Sequence, residues 1–309
     1  MHQKKFRIET QSGQRLDVFL AGKIPALSRS KIQELIDSGK ITVNNKTAKS
    51  SRRLRRGEQV TIEYTLDKPG FQLFPQDIPL NLIYKDNSIL VINKPSGMVV
   101  HPGPGNPSHT LANALIHHFH EVQTVGPENR PGIVHRLDKE TSGVLVAARN
   151  KKAYYFLKRQ FKQRKVEKNY LGLVWGRISE PEGELTWPIG RHVRDRARMS
   201  VKTAKPRLAH TFFWVKERFD HFTLLVIKPV TGRTHQIRVH FATAGHPIAG
   251  DRRYGKKKDT SRPPRLFLHA SALAFAHPET GTRMDFTAPL PADLKKFLDS
   301  LSRDTDSVK

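Results

Sequence analysis

The sequence predicts an α+β fold in two domains, and three observations predict it. The chain has 309 residues, 37% of them hydrophobic, a length that suits about two domains and enough apolar material for a real core. Apolar residues recur at helical spacing in some stretches and gather into short strand-like runs in others. Between the two parts, Leu66 to Pro79 holds Pro69, Gly70, Pro75 and Pro79 with little periodicity, the composition of a linker. Domains are therefore expected over residues 1–66 and 81–301, with a linker over 67–80 and a frayed tail over 302–309.

The elements follow in order. Leu16, Phe19 and Leu20 share a helical face, and a second short helix is expected after Ser28 or Ser30, from Lys31 to Ser38, stopped by Gly39. Ile41 to Val43 is strand-like, Asn44-Asn45 is a turn signal, and Val60 to Tyr64 is a second strand after Gly57. Between these strands lie Arg52, Arg53, Arg55 and Arg56. Two helices followed by short strands with a basic cluster resemble the small alpha-L RNA-binding module of ribosomal proteins and RNA-modifying enzymes. Four arginines are otherwise a solvated face; in this setting they are expected to contact phosphates, holding RNA without reading its sequence.

Past the linker, Leu82 to Tyr84 and Ile89 to Ile92 flank a turn at Asp86-Asn87. Thr110 is placed to cap a helix over Leu111 to His118. Val144 to Ala148 reads as a buried strand. Asn150 is placed to cap an amphipathic helix to about Gln163, with Ala153, Phe156, Leu157, Gln160 and Phe161 inward and a basic outer face. Residues 191–207 carry Arg191, Arg194, Arg196, Arg198, Lys202, Lys205 and Arg207 against one acid, Asp195. They read as an irregular basic loop that a polyanion would order. A hairpin is expected from Phe212 to Lys228 about Asp220-His221, then a helix capped by Thr234 with Ile237, Phe241 and Ala244 on one face. Pro289 to Leu301 should form a closing helix.

Lys plus Arg number 54 against 28 for Asp plus Glu, a formal charge of +26, and the pI is near 10.4. A field of that sign favours a polyanion, because neutralising phosphates releases condensed counterions. With no cysteine, disulfides, thiolate nucleophiles and cysteine-ligated zinc are excluded. The first ten residues lack an apolar core, and no later run approaches the roughly 18 apolar residues of a membrane span. A cytoplasmic protein, monomeric and away from membranes, is expected. His235 and His240 invite a metal reading, but residues five apart point away from each other on a helix and to opposite faces of a strand, so no metal site is expected there.

The most specific stretch is R-P-G-I-V-H-R-L-D-K-E-T-S-G-V-L-V-A-A-R, residues 130–149. It fixes a carboxylate, Asp138, at a turn beside a buried strand. Such a group either pairs with a cation or takes part in chemistry. The run H-R-L-D-K-E-T-S-G, residues 135–143, closely resembles the signature of the large-subunit ribosomal RNA pseudouridine synthases. N-K-P-S-G-M-V-V-H-P-G-P-G-N-P, residues 93–107, resembles that family's first motif, in the form of its D-type members. V-E-K-N-Y, K-P-V-T-G-R-T-H-Q-I-R-V-H, H-P-I-A-G-D-R-R-Y-G and R-L-F-L-H-A also match, so the resemblance covers about residues 15–300.

The resemblance implies a mixed, mostly antiparallel bent sheet with flanking helices, and a cleft where Asp138, Tyr170 and Arg238 meet. It implies isomerisation of uridine to pseudouridine in large-subunit ribosomal RNA, with Asp138 as nucleophile, Tyr170 against the target base and Arg238 in a salt bridge to the acid. Arg233 is the alternative partner. Attack on the sugar, attack on the base and removal of a ribose proton all remain open to Asp138. Lys168 accompanies Tyr170, Leu268 would pack near the base, and Arg136 would fill the position of a flipped nucleotide or contact a phosphate. No cofactor or metal is expected, since no group leaves and nothing is oxidised. The rivals are a non-catalytic RNA-binding assembly factor, a synthase acting on another RNA, a glycoside hydrolase pairing Asp138 with Glu140, and a metal nuclease.

Overall fold

The structure, a computed structural model, describes residues 2–9, 12–27, 29–64, 73–103, 105–195, 198–255 and 263–302. Ser28, the first part of the expected linker at 67–72, Arg196 and the tail from 303 lie outside the described residues. The chain divides into two units, Met1–Gln72 and Leu73–Lys309.

In the first unit, β1 (His2–Arg7) is followed by helices α1 (Leu16–Lys23) and α2 (Arg29–Asp37), then β2 (Ile41–Val43), β3 (Lys46–Thr47) and β4 (Gln59–Tyr64). The four strands lie in the order β1-β4-β2-β3. Leu16, Phe19, Leu20, Ile32, Ile41, Val60 and Ile62 close one core. Asn44 and Asn45 both take positive φ, 49° and 60°, the backbone of a tight hairpin turn, which explains why the β2–β3 turn carries two asparagines. β1 was not expected from H-Q-K-K-F-R, a run with one large apolar residue. Its pairing with β4 along all six residues supplies the order that its side chains do not.

The second unit contains β5 (Leu82–Lys85), β6 (Ile89–Lys94), α3 (Leu111–His118), β7 (Ser142–Ala148), α4 (Lys151–Lys162), β8 (Glu167–Trp175) and β9 (Glu182–Leu185). It continues with β10 (Gly190–Arg191), β11 (Met199–Ser200), β12 (Thr211–Arg218), β13 (Phe222–Pro229), α5 (Gln236–Thr243), β14 (Leu268–Ala276), β15 (Arg283–Thr287) and α6 (Ala292–Asp299). One sheet runs β5-β6-β7-β14-β8-β13-β12-β9, with β15 on β14. Among the described strands of this sheet only β7 and β14 are parallel neighbours, so the sheet is mixed and mostly antiparallel, as expected. β6 and β7 are buried on both faces: Ile89, Val91, Val144 and Val146 enter one core with α4, and Leu90, Ile92, Leu145 and Ala147 another with α3. That explains their unbroken apolar runs. Thr110 caps α3 through a reciprocal capping box with Asn113, and Asn150 caps α4 by accepting from Ala153 N–H at 2.9 Å.

Four local readings are corrected. Residues 73–80 are docked on α3 rather than loose: Asn113 donates to Phe74 O at 2.7 Å and His109 N–H to Gln76 Oε1 at 2.7 Å. On α4, Tyr154 is buried and Phe156 only half-buried, because Tyr154 packs against the core of β6 and β7. Gly190–Arg191 and Met199–Ser200 are not irregular but pair as the short β10–β11 ribbon, since backbone pairing orders what side-chain composition leaves open. Thr234 does not cap α5; the cap position is His235, with a left-handed φ of 54° and no side-chain cap.

Candidate active site

The signature loop is pinned before it presents anything. His135 accepts a hydrogen bond from Val146 N–H at its Nε2, 3.0 Å away, and its ring stacks on Phe161 with centroids 4.5 Å apart. Burial, with the Lys168 charge added, lowers its pKa to about 3. It is therefore neutral and structural. Leu137 is buried beside α3. At the far end, Gly143 has φ +116°, and a Cβ there would stand 2.1 Å from the carbonyl oxygen of Ala270. Only glycine lets β14 approach β7 so closely. Asp138, between these anchors, is held at the C-terminal edge of the loop that leads into β7.

Beneath the loop lies Lys94, fully buried, its ammonium donating to the carbonyls of Pro95, Met98 and Lys139 at 2.6, 2.9 and 3.3 Å. Burial draws its pKa down to about 7, the Asp138 charge opposing. It ties the end of β6 to the signature loop, a junction also closed by Gly97 N–H to Lys139 O at 2.8 Å and Ser96 to Glu140 O at 2.8 Å.

Asp138 opens on a cavity of about 480 Å³, in the size range of small-ligand sites. Its walls are the signature loop, the end of α4, the start of β8, and the loop and first turn of α5. Asp138, Tyr170 and Arg238 all line it, as do Arg136, Lys168 and Leu268, so the structure brings together the six residues to which the resemblance gave a role in this domain, while Glu140 and the basic residues of 191–207 do not line it. Tyr170 sits mid-sheet, paired with Ile227 on one side and Ala270 on the other. Burial, and then the Asp138 charge, raise its pKa above the usual phenol value, so it keeps its proton. Lys168, two residues earlier on the same strand face, is lowered to about 8 by burial.

Arg238 is the hinge of the electrostatics. Its side chain is 6% exposed. Nη1 lies 3.6 Å from Asp138 Oδ2, while Nε and Nη2 donate to Asp251 at 2.7 and 2.8 Å. Burial alone would lower its pKa, but the Asp251 hydrogen bonds and the charges of both acids outweigh it and raise it. Arg233 also lines the cavity, but its Nε donates to Leu208 O at 3.0 Å; the guanidinium beside Asp138 is that of Arg238.

Sequence reasoning missed Asp251, in a stretch read only as a supporting surface turn. Its side chain is fully buried and is also met by Arg253 N–H and Tyr254 N–H at 2.9 and 3.0 Å. An acid directly after I-A-G, in a buried context, was the available signal. The two histidines engage protein neighbours: His235 Nδ1 lies 2.9 Å from Tyr254 Oη, and His240 bridges Thr211 Oγ1 and Trp187 O at 3.0 and 2.9 Å. Among the described residues the one group with metal-ligand potential is Asp77, His117 and His118, none of which lines the cavity. In the first unit, Arg52 is taken up by Glu58 at 2.6 Å and Arg53 donates to Gly13 O at 2.9 Å. These two help to hold their own module together, while Arg55 and Arg56 are exposed.

Comparison with known proteins agrees with this geometry. Residues 88–243 match the family described as RNA pseudouridylate synthase, and residues 14–60 match the S4 domain. An RNA pseudouridine synthase of Aquifex aeolicus is 45% identical over 302 residues, 94% of each chain. Ribosomal large subunit pseudouridine synthase D of Yersinia pestis is 39% identical, covering 97% of this chain and 95% of its own. Among solved structures, human RNA Pseudouridylate Synthase Domain Containing 1 superposes with a TM-score of 0.59 at 30% identity, covering 74% of this chain and 90% of the human one. The chain thus belongs to the RNA pseudouridine synthase family, with an S4 domain ahead of the catalytic one.

Proposed function

We propose that the enzyme isomerises specific uridines of large-subunit ribosomal RNA, with Asp138 as the nucleophile. The observation that carries this reading is a carboxylate 15% exposed, opening on a cavity and set 3.6 Å from a guanidinium that a second acid already orients. The D-type names of several relatives favour the ribosomal target. In the reaction the bond from N1 of uracil to C1′ breaks, the base turns, and C5 bonds to C1′; C5 gives up its proton and N1 takes one. Atoms balance without oxidation, and a carboxylate in a partly water-excluded cavity supplies what is needed.

Arg238 holds the acid in place and keeps its charge compensated when RNA excludes water. Tyr170 keeps its proton and offers its ring to the base, with Leu268 completing an apolar wall. Lys168 presents a cation to the nucleotide. Reaching the uridine requires unstacking it, at a cost of about a few kcal/mol, and exposed Arg136 fills the gap or contacts a phosphate. The enzyme acts as a monomer, and its S4 domain adds phosphate contacts through Arg55 and Arg56.

Mapping pseudouridines in ribosomal RNA from cells with and without this protein tests the reading. Loss of one or a few sites from the large subunit is expected. An unchanged large-subunit map with sites lost from another RNA would overturn the ribosomal assignment, and no lost site anywhere would favour the assembly-factor rival.

A further inference from the structure

His235 belongs to the cavity wall, yet the proposed reaction has given it no task. Its backbone is held at φ 54°, a left-handed conformation that L side chains avoid and that tends to persist where surrounding structure fixes it for a purpose. Among the described residues the ring is oriented from one side only. Nδ1 lies 2.9 Å from Tyr254 Oη, and Tyr254 Oη in turn accepts Met199 N–H from β11 at 2.9 Å.

This chain of contacts fixes the tautomer. The phenol oxygen already accepts from Met199, and among the described residues its proton has one acceptor within reach, His235 Nδ1. Were Nδ1 the donor instead, the phenol proton would lose its one protein acceptor among the described residues. Nδ1 therefore accepts, and the imidazole carries its hydrogen on Nε2. Nε2 has no hydrogen-bond partner among the described residues and is not sealed in the interior; the residue lines the cavity and feels the Asp138 charge, so we take its N–H donor to open on that cavity.

We propose that His235 is a further catalytic residue, donating its Nε2–H to a carbonyl oxygen of the target uracil, and that Tyr254 is the positioning residue that fixes this tautomer. The inference rests on the reading of the cavity as the uridine-isomerising site. As the glycosidic bond breaks, the electron pair stays with the base and its charge spreads onto the ring carbonyls. A fixed donor aimed at one of them is strengthened as that charge develops, in a site with little water, and so lowers the barrier more than it aids binding. Tyr254 is itself well held, with the Arg238 and Arg198 guanidinium carbons 5.2 and 5.3 Å from its ring.

Single-turnover rates of pseudouridine formation and RNA affinities of His235→Asn, Tyr254→Phe and the double variant test this. Asparagine tolerates the left-handed backbone but cannot reach as far as Nε2; Tyr254→Phe keeps the ring and removes the hydroxyl. The rate should fall about 100-fold in His235→Asn and about 10-fold in Tyr254→Phe, with RNA affinity within about twofold of the wild type. The double variant should be no slower than His235→Asn, because the hydroxyl acts only through the imidazole. A wild-type rate in either single variant, equal losses in rate and affinity, or additive losses in the double variant would overturn the proposal while leaving the isomerase reading intact. A wild-type enzyme that forms no pseudouridine in any RNA would remove both.

Discussion

Each unit of the molecule contains a buried carboxylate set against arginine, and the two are held in opposite ways. Asp17, 4% exposed, accepts from two guanidinium groups: Arg15 at 3.0 and 3.1 Å and Arg29 at 2.8 Å. Both its oxygens are taken, and its pKa is pushed down to about 2, first by the Arg15 hydrogen bonds. In the catalytic unit the ratio is inverted, with one guanidinium between two acids. Asp251 takes the close, two-pronged contact, and Asp138 is left at 3.6 Å with no side-chain hydrogen bond among the described residues. A saturated acid braces a fold. An acid that is steadied but not saturated keeps lone pairs free of side-chain donors, and Asp251 is what orients Arg238 beside it.

The comparison can be broken at Asp251, where the largest stability effect is expected. Asp251→Ala would strand the buried Arg238 charge and should cost about 3–5 kcal/mol, read from the denaturant midpoint, with activity lost as well. A loss below about 1 kcal/mol would mean that Arg238 does not depend on that partner.

A smaller loss, about 1–2 kcal/mol, is expected for Asp17→Asn, with activity on RNA fragments retained by the folded protein. Because the folded pKa of Asp17 lies below its unfolded value, its stabilisation is complete above about pH 4 and disappears as pH falls towards 2. Unfolding curves of wild type and Asp17→Asn should therefore converge across that window. A difference that persists at pH 2 would place the effect in packing rather than charge.

Lys168 sharpens the contrast from the cation side. Its pKa, lowered to about 8 by burial, lies below that of the unfolded chain, so between about pH 8 and 10 the unfolded state binds more protons and wild-type stability rises with pH. Lys168→Met should lose this rise, gain about 1 kcal/mol near neutrality, and turn over more slowly. A Lys168→Met protein less stable than the wild type at pH 7 would show that the ammonium is stabilising in place.

The sequence carried most of the residues that line the cavity because the motifs that hold them are local. H-R-L-D-K-E-T-S-G specifies a pinned turn within nine residues, and Thr110 and Asn150 announce caps that act three residues away. What it concealed depends on contacts between distant segments. Asp251 is defined by Arg238, thirteen positions earlier, and Lys94 by a carbonyl 45 positions later. The order of β1 comes from β4, and the tautomer of His235 from Tyr254 and Met199. Thr234 had the right chemistry for a cap but the wrong place, since the cavity wall claims the left-handed residue after it.

The most direct test compares wild type with Asp138→Asn on the same large-subunit RNA fragment, measuring single-turnover pseudouridine yield, RNA affinity and thermal stability together. Because Asp251 still holds Arg238 in the variant, stability should change by less than about 1 kcal/mol and affinity by little, while the rate should fall by on the order of 10⁴-fold or more. A folded Asp138→Asn enzyme that converts the fragment at the wild-type rate would contradict the assignment of this carboxylate as the reacting group.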